Sequence, residues 1–192
     1  AGGPVDSSPT VVDGMLIFGC RDGKIYCLRA TDGALVWRFD AAPDPRQIVS
    51  YENLESLWPI NGAVLVQDGL AYFAAGRSSF LSGGMVVYGL DIKTGDVRAS
   101  HVFDGPWPDI KTESGGPFSM EGARTDLFVA DKAGRLYMLR HEFDADLNVQ
   151  PKKQGSPLGE LEMSGAHLIP TNGFLDDSNS DRVYWMHTRR WP

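Results

Sequence analysis

Apolar residues along this chain come in short runs broken by Gly-containing turns, and the same order of runs and turns occurs three times. The first copy is Met15-Leu16-Ile17-Phe18, the turn Arg21-Asp22-Gly23-Lys24, then Ile25-Tyr26-Cys27-Leu28, continuing through Ala30-Thr31-Asp32-Gly33 into Leu35-Val36-Trp37. The second runs from Gln67-Asp68-Gly69-Leu70-Ala71-Tyr72-Phe73 through Val87-Tyr88-Gly89-Leu90-Asp91 to Lys93-Thr94-Gly95-Asp96-Val97. The third is Asp126-Leu127-Phe128-Val129, Lys132-Ala133-Gly134-Arg135 and Leu136-Tyr137-Met138-Leu139. Runs of this length, closed by turns that supply positive φ at low steric cost, predict antiparallel strands. One such unit cannot bury its own apolar face, so the repetition predicts β units stacked on one another. Helical periodicity is weak throughout. A short helical turn is expected only at residues 50–57, where Tyr51, Leu54 and Leu57 recur at i, i+3 and i+6.

The order Asp-Gly, alternating strand, Asp22-Gly23-Lys24, Ile25-Tyr26-x-Leu28, Ala30-Thr31-Asp32-Gly33 and Leu35-Val36-Trp37-Arg38-Phe39 resembles the repeat of the PQQ-like (quinoprotein) β-propellers. Residues 7–41 match it closely, 62–105 match it with a long insertion, and 115–140 match its first half. The resemblance implies blades of four antiparallel strands, with a residue of the Trp37 type docking between neighbouring blades. The second copy has Ala99 at that place and the third lacks the Thr-Gly turn, so the docking pattern is degenerate. The expected fold class is therefore all-β: a β-propeller fragment of about three to four four-stranded antiparallel blades. Repeats are expected near 7–41, 62–105 and 115–153, with a partial fourth at 164–191. Such propellers spend ~40–50 residues per blade and close with about 4–8 blades. The 192 residues are thus expected to be a segment of a larger propeller, whose remaining blades would be its first partners.

Composition narrows the function classes. A 42% hydrophobic content supports a packed core. The net charge of -7 and pI near 5.0 argue against nucleic acid, whose binding draws on basic surface. No apolar run approaches the ~20 residues of a membrane span. The resemblance implies an exported setting, periplasmic or at the cell surface. The two cysteines, Cys20 and Cys27, flank the Arg21–Lys24 turn. A two-residue turn at Asp22-Gly23 would set them on one face at a diagonal ~7–8 Å, too long for a disulfide; a four-residue loop would set them opposite each other. Free buried thiols are the expectation.

Cofactor chemistry finds little support. In quinoprotein dehydrogenases, the resemblance implies, the quinone lies between a Trp and adjacent cysteines, with Ca²⁺ on Glu, Asn and Asp. This chain has no adjacent cysteine pair, so neither PQQ nor Ca²⁺ is expected. Asp177-Ser178-Asn179-Ser180-Asp181 has calcium-loop spacing, but Arg182 and Thr188 stand where an EF-hand needs Gly and Glu. His101, His141, His167 and His187 carry no metal-ligand spacing, and no G-x-S-x-G, phosphate loop or HExxH occurs. No catalytic or metal residues are assigned.

What remains are three long connections, at residues 41–61, 76–84 and 104–120. Long loops in a compact domain tend to carry function, and propeller topology sends them to the end faces. Arg46, Glu55, Trp58 and Arg77 are the candidate ligand-binding residues, as charged and aromatic side chains without an evident packing duty; Trp107 between two prolines is a further aromatic candidate. The expected role is a non-catalytic module binding a protein, or a small-molecule or glycan ligand, on the propeller loop face. Part of a quinoprotein-type oxidoreductase, or a glycan-binding accessory domain of a hydrolase, are the alternatives.

Overall fold

The computed structural model describes residues 1–50, 52–79, 81–105, 127–138 and 141–150, together with the strands Glu162–Pro170 and Trp185–Arg190. Every regular element among them is a strand. The first blade is β1 (Thr10–Val12), β2 (Met15–Gly19), β3 (Lys24–Arg29) and β4 (Leu35–Asp40), antiparallel and in chain order. A separate two-stranded ribbon follows, β5 (Gln47–Ser50) with β6 (Asn53–Ser56). The second blade is β7 (Leu65–Gln67), β8 (Leu70–Ala75), β9 (Met85–Asp91) and β10 (Val97–Phe103). A three-stranded sheet, β11 (Val129–Ala130), β12 (Leu136–Met138) and β13 (His141–Phe143), forms within the third repeat, and β14 (Glu162–Pro170) pairs with β15 (Trp185–Arg190) beyond it. No helix among the described residues is long and apolar enough to cross a membrane.

The turn residues decide these hairpins. Asp13 and Gly14 both have positive φ (48° and 73°), as do Asp68 and Gly69 (50° and 78°), which is the backbone of a type I′ two-residue turn. Val12 accordingly pairs with Met15 and Gln67 with Leu70. The outer turns also repeat: Gly33 N–H donates to Arg29 C=O and Gly95 N–H to Asp91 C=O, each at 2.8 Å.

Two cores lie between successive sheets. Ile17, Ile25, Cys27 and Trp37 of the first blade pack on Ala71, Phe73, Leu90 and Ile92 of the second. Trp37 anchors this interface as the resemblance implies: its indole N–H donates to Ile92 C=O (2.9 Å), and its ring lies 2.8 Å from where a Cβ on Gly95 would sit. Ala99, paired with Gly89 as Trp37 is with Cys27, is buried in the second core. There Tyr72, Phe128 and Phe143 fill the space, and the Tyr72 hydroxyl reaches across to Ala145 C=O (3.0 Å).

The cysteine geometry matches neither turn considered from sequence. Gly19 pairs with Ile25 and Cys20 N–H donates to Lys24 C=O (3.0 Å), so three residues, Arg21 to Gly23, form the loop, with Gly23 at φ 81°. Cys27 opposes Ile17 in the inter-blade core, whereas Cys20, three positions on from Ile17, falls on the other face and donates to Gly3 C=O (3.3 Å). Both thiols are free and buried. Burial pushes Cys27 up to about 11 and raises Cys20 as well. Neither thiol should therefore react with a thiolate-selective reagent in the native chain near neutral pH, and both should react in denaturant. Rapid native labelling would show that the first blade opens.

Candidate functional site

Chain direction fixes where the long connections lie. Strands reverse at every turn, so the β2–β3 loop (21–23), the β4–β7 connection (41–64), the β8–β9 loop (76–84) and the chain leaving β10 all emerge at one end of the blades. Among the described residues of these two blades, the opposite end carries the short turns at 13–14, 30–34, 68–69 and 92–96. The candidate site is the long-loop end.

Residues 47–50 and 53–56 pair as the β5–β6 ribbon, so Leu54 stands in a strand and not in the helical turn expected at 50–57; Tyr51 lies outside the described residues. Ile48-Val49 favours extended backbone, and period-two alternation places Glu55 inward while Leu54 faces out. Glu55 is the centre of the end face, its side chain 3% exposed. Arg77, from the β8–β9 loop of the second blade, donates Nη2 to Glu55 Oε1 and Nη1 to Leu57 C=O (3.1 Å). Arg21, from the β2–β3 loop of the first blade, places Nη1 3.3 Å from Glu55 Oε2 and pairs through Nε with Asp6. One carboxylate therefore ties two blades and the ribbon together.

Backbone bonds complete the brace. Ser56 N–H donates to Arg21 C=O (2.8 Å), Ile60 N–H to Cys20 C=O (3.1 Å), Gly76 N–H to Pro59 C=O (3.0 Å) and Gly105 N–H to Ser79 C=O (2.9 Å). Trp58 is 3% exposed; its indole N–H donates to Gly84 C=O (3.0 Å), and the Arg46 guanidinium lies 5.7 Å from its ring centroid. Gly76 must be glycine here, because at φ 111° its Cβ would meet Met85 at 2.8 Å and Trp58 at 3.2 Å.

All four residues singled out from sequence thus gather at one end, but the expectation that they lack a packing duty holds only in part. Trp58 and Glu55 are interior. Arg46 and the outer parts of Arg77 and Arg21 are what solvent reaches, with Val49, Leu54 and Leu81 exposed beside them on the same connections. Sequence reasoning missed Arg21, in the β2–β3 loop, and Asp6, in the segment before β1, whose only signal is their charge. Trp107, the loop at 106–120 and the Asp177–Asp181 motif lie outside the described residues.

Carboxylates on these turns are tuned for the charged form. Burial pushes Asp22 up, but hydrogen bonds from the Tyr26 hydroxyl (2.6 Å) and the Gly2 (2.7 Å) and Lys24 (3.1 Å) amides outweigh it, and its pKa falls below the usual value. Asp131 is depressed in the same way against its own burial, by Arg135, Ala133 and Tyr137 in the corresponding turn. A depressed carboxylate contributes stability above its unfolded pKa of ~3.9 that is lost as pH falls through the lower folded value. Chemical denaturation midpoints should hold from neutral pH to about 4 and drop below it; a flat profile down to pH 2 would contradict these partners.

No family model matches the chain. The outer membrane protein assembly factor BamB of Alkalilimnicola ehrlichii is 27% identical to it over 163 residues, 85% of this chain and 37% of that protein. Among solved structures, the quinohemoprotein alcohol dehydrogenase ADHIIG from Pseudomonas putida HK5 has a TM-score of 0.55 at 18% identity, covering 93% of this chain and 30% of its own. A europium-containing methanol dehydrogenase has a TM-score of 0.52 at 16% identity, covering 86% and 35%. The chain thus spans about a third of the length of the relatives it matches. The fold is that of a β-propeller. Its repeat turns and the Trp37 dock resemble those of the PQQ-like repeat.

Among the described residues, the cysteines and Trp58 do not form the quinone sandwich that the resemblance describes. Cys20 and Cys27 lie on opposite faces of one hairpin, and Trp58 has its ring packed inside. Among the described residues no group of three or more His, Cys, Asp and Glu side chains is placed to hold a metal ion.

Proposed function

We propose that this chain is a non-catalytic propeller module that binds a protein partner through its long-loop end, in an exported setting and without quinone or Ca²⁺. The observation that carries this reading is the brace around Glu55. Buried ion pairs and backbone bonds fix three connections that would otherwise be free loops, while apolar and cationic side chains stay exposed on them. A surface held rigid before binding loses less entropy on association, which favours a protein-binding role. The likeness to an outer membrane protein assembly factor supports the same class of partner.

Photo-cross-linkers placed at Leu54 and Leu81 should yield discrete adducts with another protein in the native host, and cross-linkers at Thr31 and Lys93 on the opposite end should not. Adducts distributed evenly over both ends, or none from the long-loop end, would contradict the proposal. Pyrroloquinoline quinone with Ca²⁺ should leave the melting temperature unchanged, whereas a ligand at 100 times its Kd would add about 2.7 kcal/mol.

A further inference from the structure

Residues 2–6, in the segment before β1, lie along the β2–β3 loop and are held there by polar contacts. Gly2 N–H donates to Asp22 Oδ2 (2.7 Å), the Cys20 thiol to Gly3 C=O (3.3 Å), Arg21 N–H to Pro4 C=O (3.0 Å), and Arg21 Nε to the Asp6 carboxylate. The fit is close at Gly3, where a Cβ would meet the Asp22 amide nitrogen at 3.3 Å and Cys20 Sγ at 3.7 Å. Cys20 beneath it is fully buried. The segment itself buries nothing: Gly3, Pro4 and Ser7 are half-buried and the rest of residues 1–9 are exposed. Its Arg21–Asp6 pair joins side chains 26% and 34% exposed, where water and salt weaken an ion pair. A segment with polar contacts and no buried apolar side chain belongs to the low-stability end of a structure and opens locally, without unfolding the blades.

Arg21 gives that opening a consequence. Its guanidinium reaches Glu55 through Nη1 and gives Nε to Asp6, so a carboxylate of the segment fills one donor of a cation at the long-loop end. We propose that residues 2–6 are a strap that opens apart from the blades, and that Asp6 holds the place of a carboxylate on the protein bound at this end. With the strap open, Arg21 Nε loses its partner while Nη1 stays on Glu55, so the brace survives and one charged donor is presented for exchange. The opening stands by itself; the exchange of carboxylates rests on the partner-binding reading. Neighbouring groups separate strap opening from blade opening. Arg21 N–H is bonded to the strap, whereas Cys20 N–H is bonded to Lys24 C=O within the hairpin and Ser56 N–H to Arg21 C=O within the brace. The thiols divide in the same way, with Cys20 against Gly3 and Cys27 in the inter-blade core.

Amide exchange of the full chain reads the opening. The Arg21 amide should exchange about tenfold or more faster than those of Cys20 and Ser56, and faster still at high salt. Two variants lift the strap by different means: Asp6→Asn removes its charge, and Gly3→Val sets a side chain against the Asp22 amide. In each, Cys20 is relieved of its burial and should become reactive to a thiol reagent, while Cys27 stays silent and the melting temperature holds. Arg21 exchanging as slowly as Cys20 and Ser56 in all three proteins, or Cys20 and Cys27 reacting together, would overturn the strap. Cross-linking in the native host reads the exchange. With a photo-cross-linker at Leu54, Asp6→Asn should raise the yield of the same adduct about threefold or more, since it raises the fraction of chains competent to bind. An adduct of unchanged or lower yield overturns the exchange and leaves the partner reading standing. No adduct from any variant overturns both, and the amide and thiol results still decide the strap.

Discussion

Replacing Trp37 by Ala should cost about 3–5 kcal/mol of unfolding free energy, the range for truncating a large buried aromatic. Trp37 both fills the first inter-blade core and hydrogen-bonds across it, so its removal opens a cavity and orphans Ile92 C=O together. The outer turns supply an internal control. Gly33 and Gly95 occupy the same place in the two blades, both at φ in the seventies, but a Cβ at Gly33 meets nothing within 4 Å whereas one at Gly95 strikes the Trp37 ring at 2.8 Å. Gly33→Ala should therefore cost only the left-handed backbone term of ~1–2 kcal/mol, and Gly95→Ala clearly more. Equal losses in urea denaturation would show that Trp37 does not dock on that turn.

The second large effect is expected at Glu55. Glu55→Gln keeps the shape but removes the charge between Arg21 and Arg77, and breaking a buried pair by deleting one partner costs ~3–5 kcal/mol. Both guanidiniums remain about a quarter exposed, so solvent recovers part of their charge and the expected loss is near the lower figure, about 3 kcal/mol. Arg77→Ala should cost less than Glu55→Gln, because Glu55 keeps Arg21. A Glu55→Gln variant as stable as the wild type would mean that the brace does not hold the end face.

The repeat and the strand order were legible in the sequence because each is set locally: Asp-Gly turns enforce their φ values, and alternation over a few residues decides a face; the inter-blade role of Trp37 was legible only through the resemblance of the repeat. The gathering of Arg46, Glu55, Trp58 and Arg77 was legible through topology, since insertions at equivalent strand junctions must emerge together. Their burial was not. Whether Glu55 is solvated or enclosed depends on Arg21 and Arg77, which lie 34 and 22 residues away and carry no pattern of their own. The ribbon at 47–56 was misread as a helical turn because Tyr51, Leu54 and Leu57 fit period 3.6 over too short a window, while the strand signal, Ile48-Val49 opposite Leu54-Glu55, spans the turn. The cysteine register turned on one extra loop residue at Arg21–Gly23, which period-two arithmetic cannot supply.

Amide hydrogen exchange across residues 53–60 and 76–79 tests most directly whether the long-loop end is a fixed binding surface. The account predicts that the amides of Ser56, Ile60 and Gly76, bonded to Arg21, Cys20 and Pro59, exchange as slowly as those of β8 and β9, and that Glu55→Gln accelerates this set while leaving the short-turn end unchanged. Exchange at the rate of an unstructured chain in the unmodified protein would contradict it.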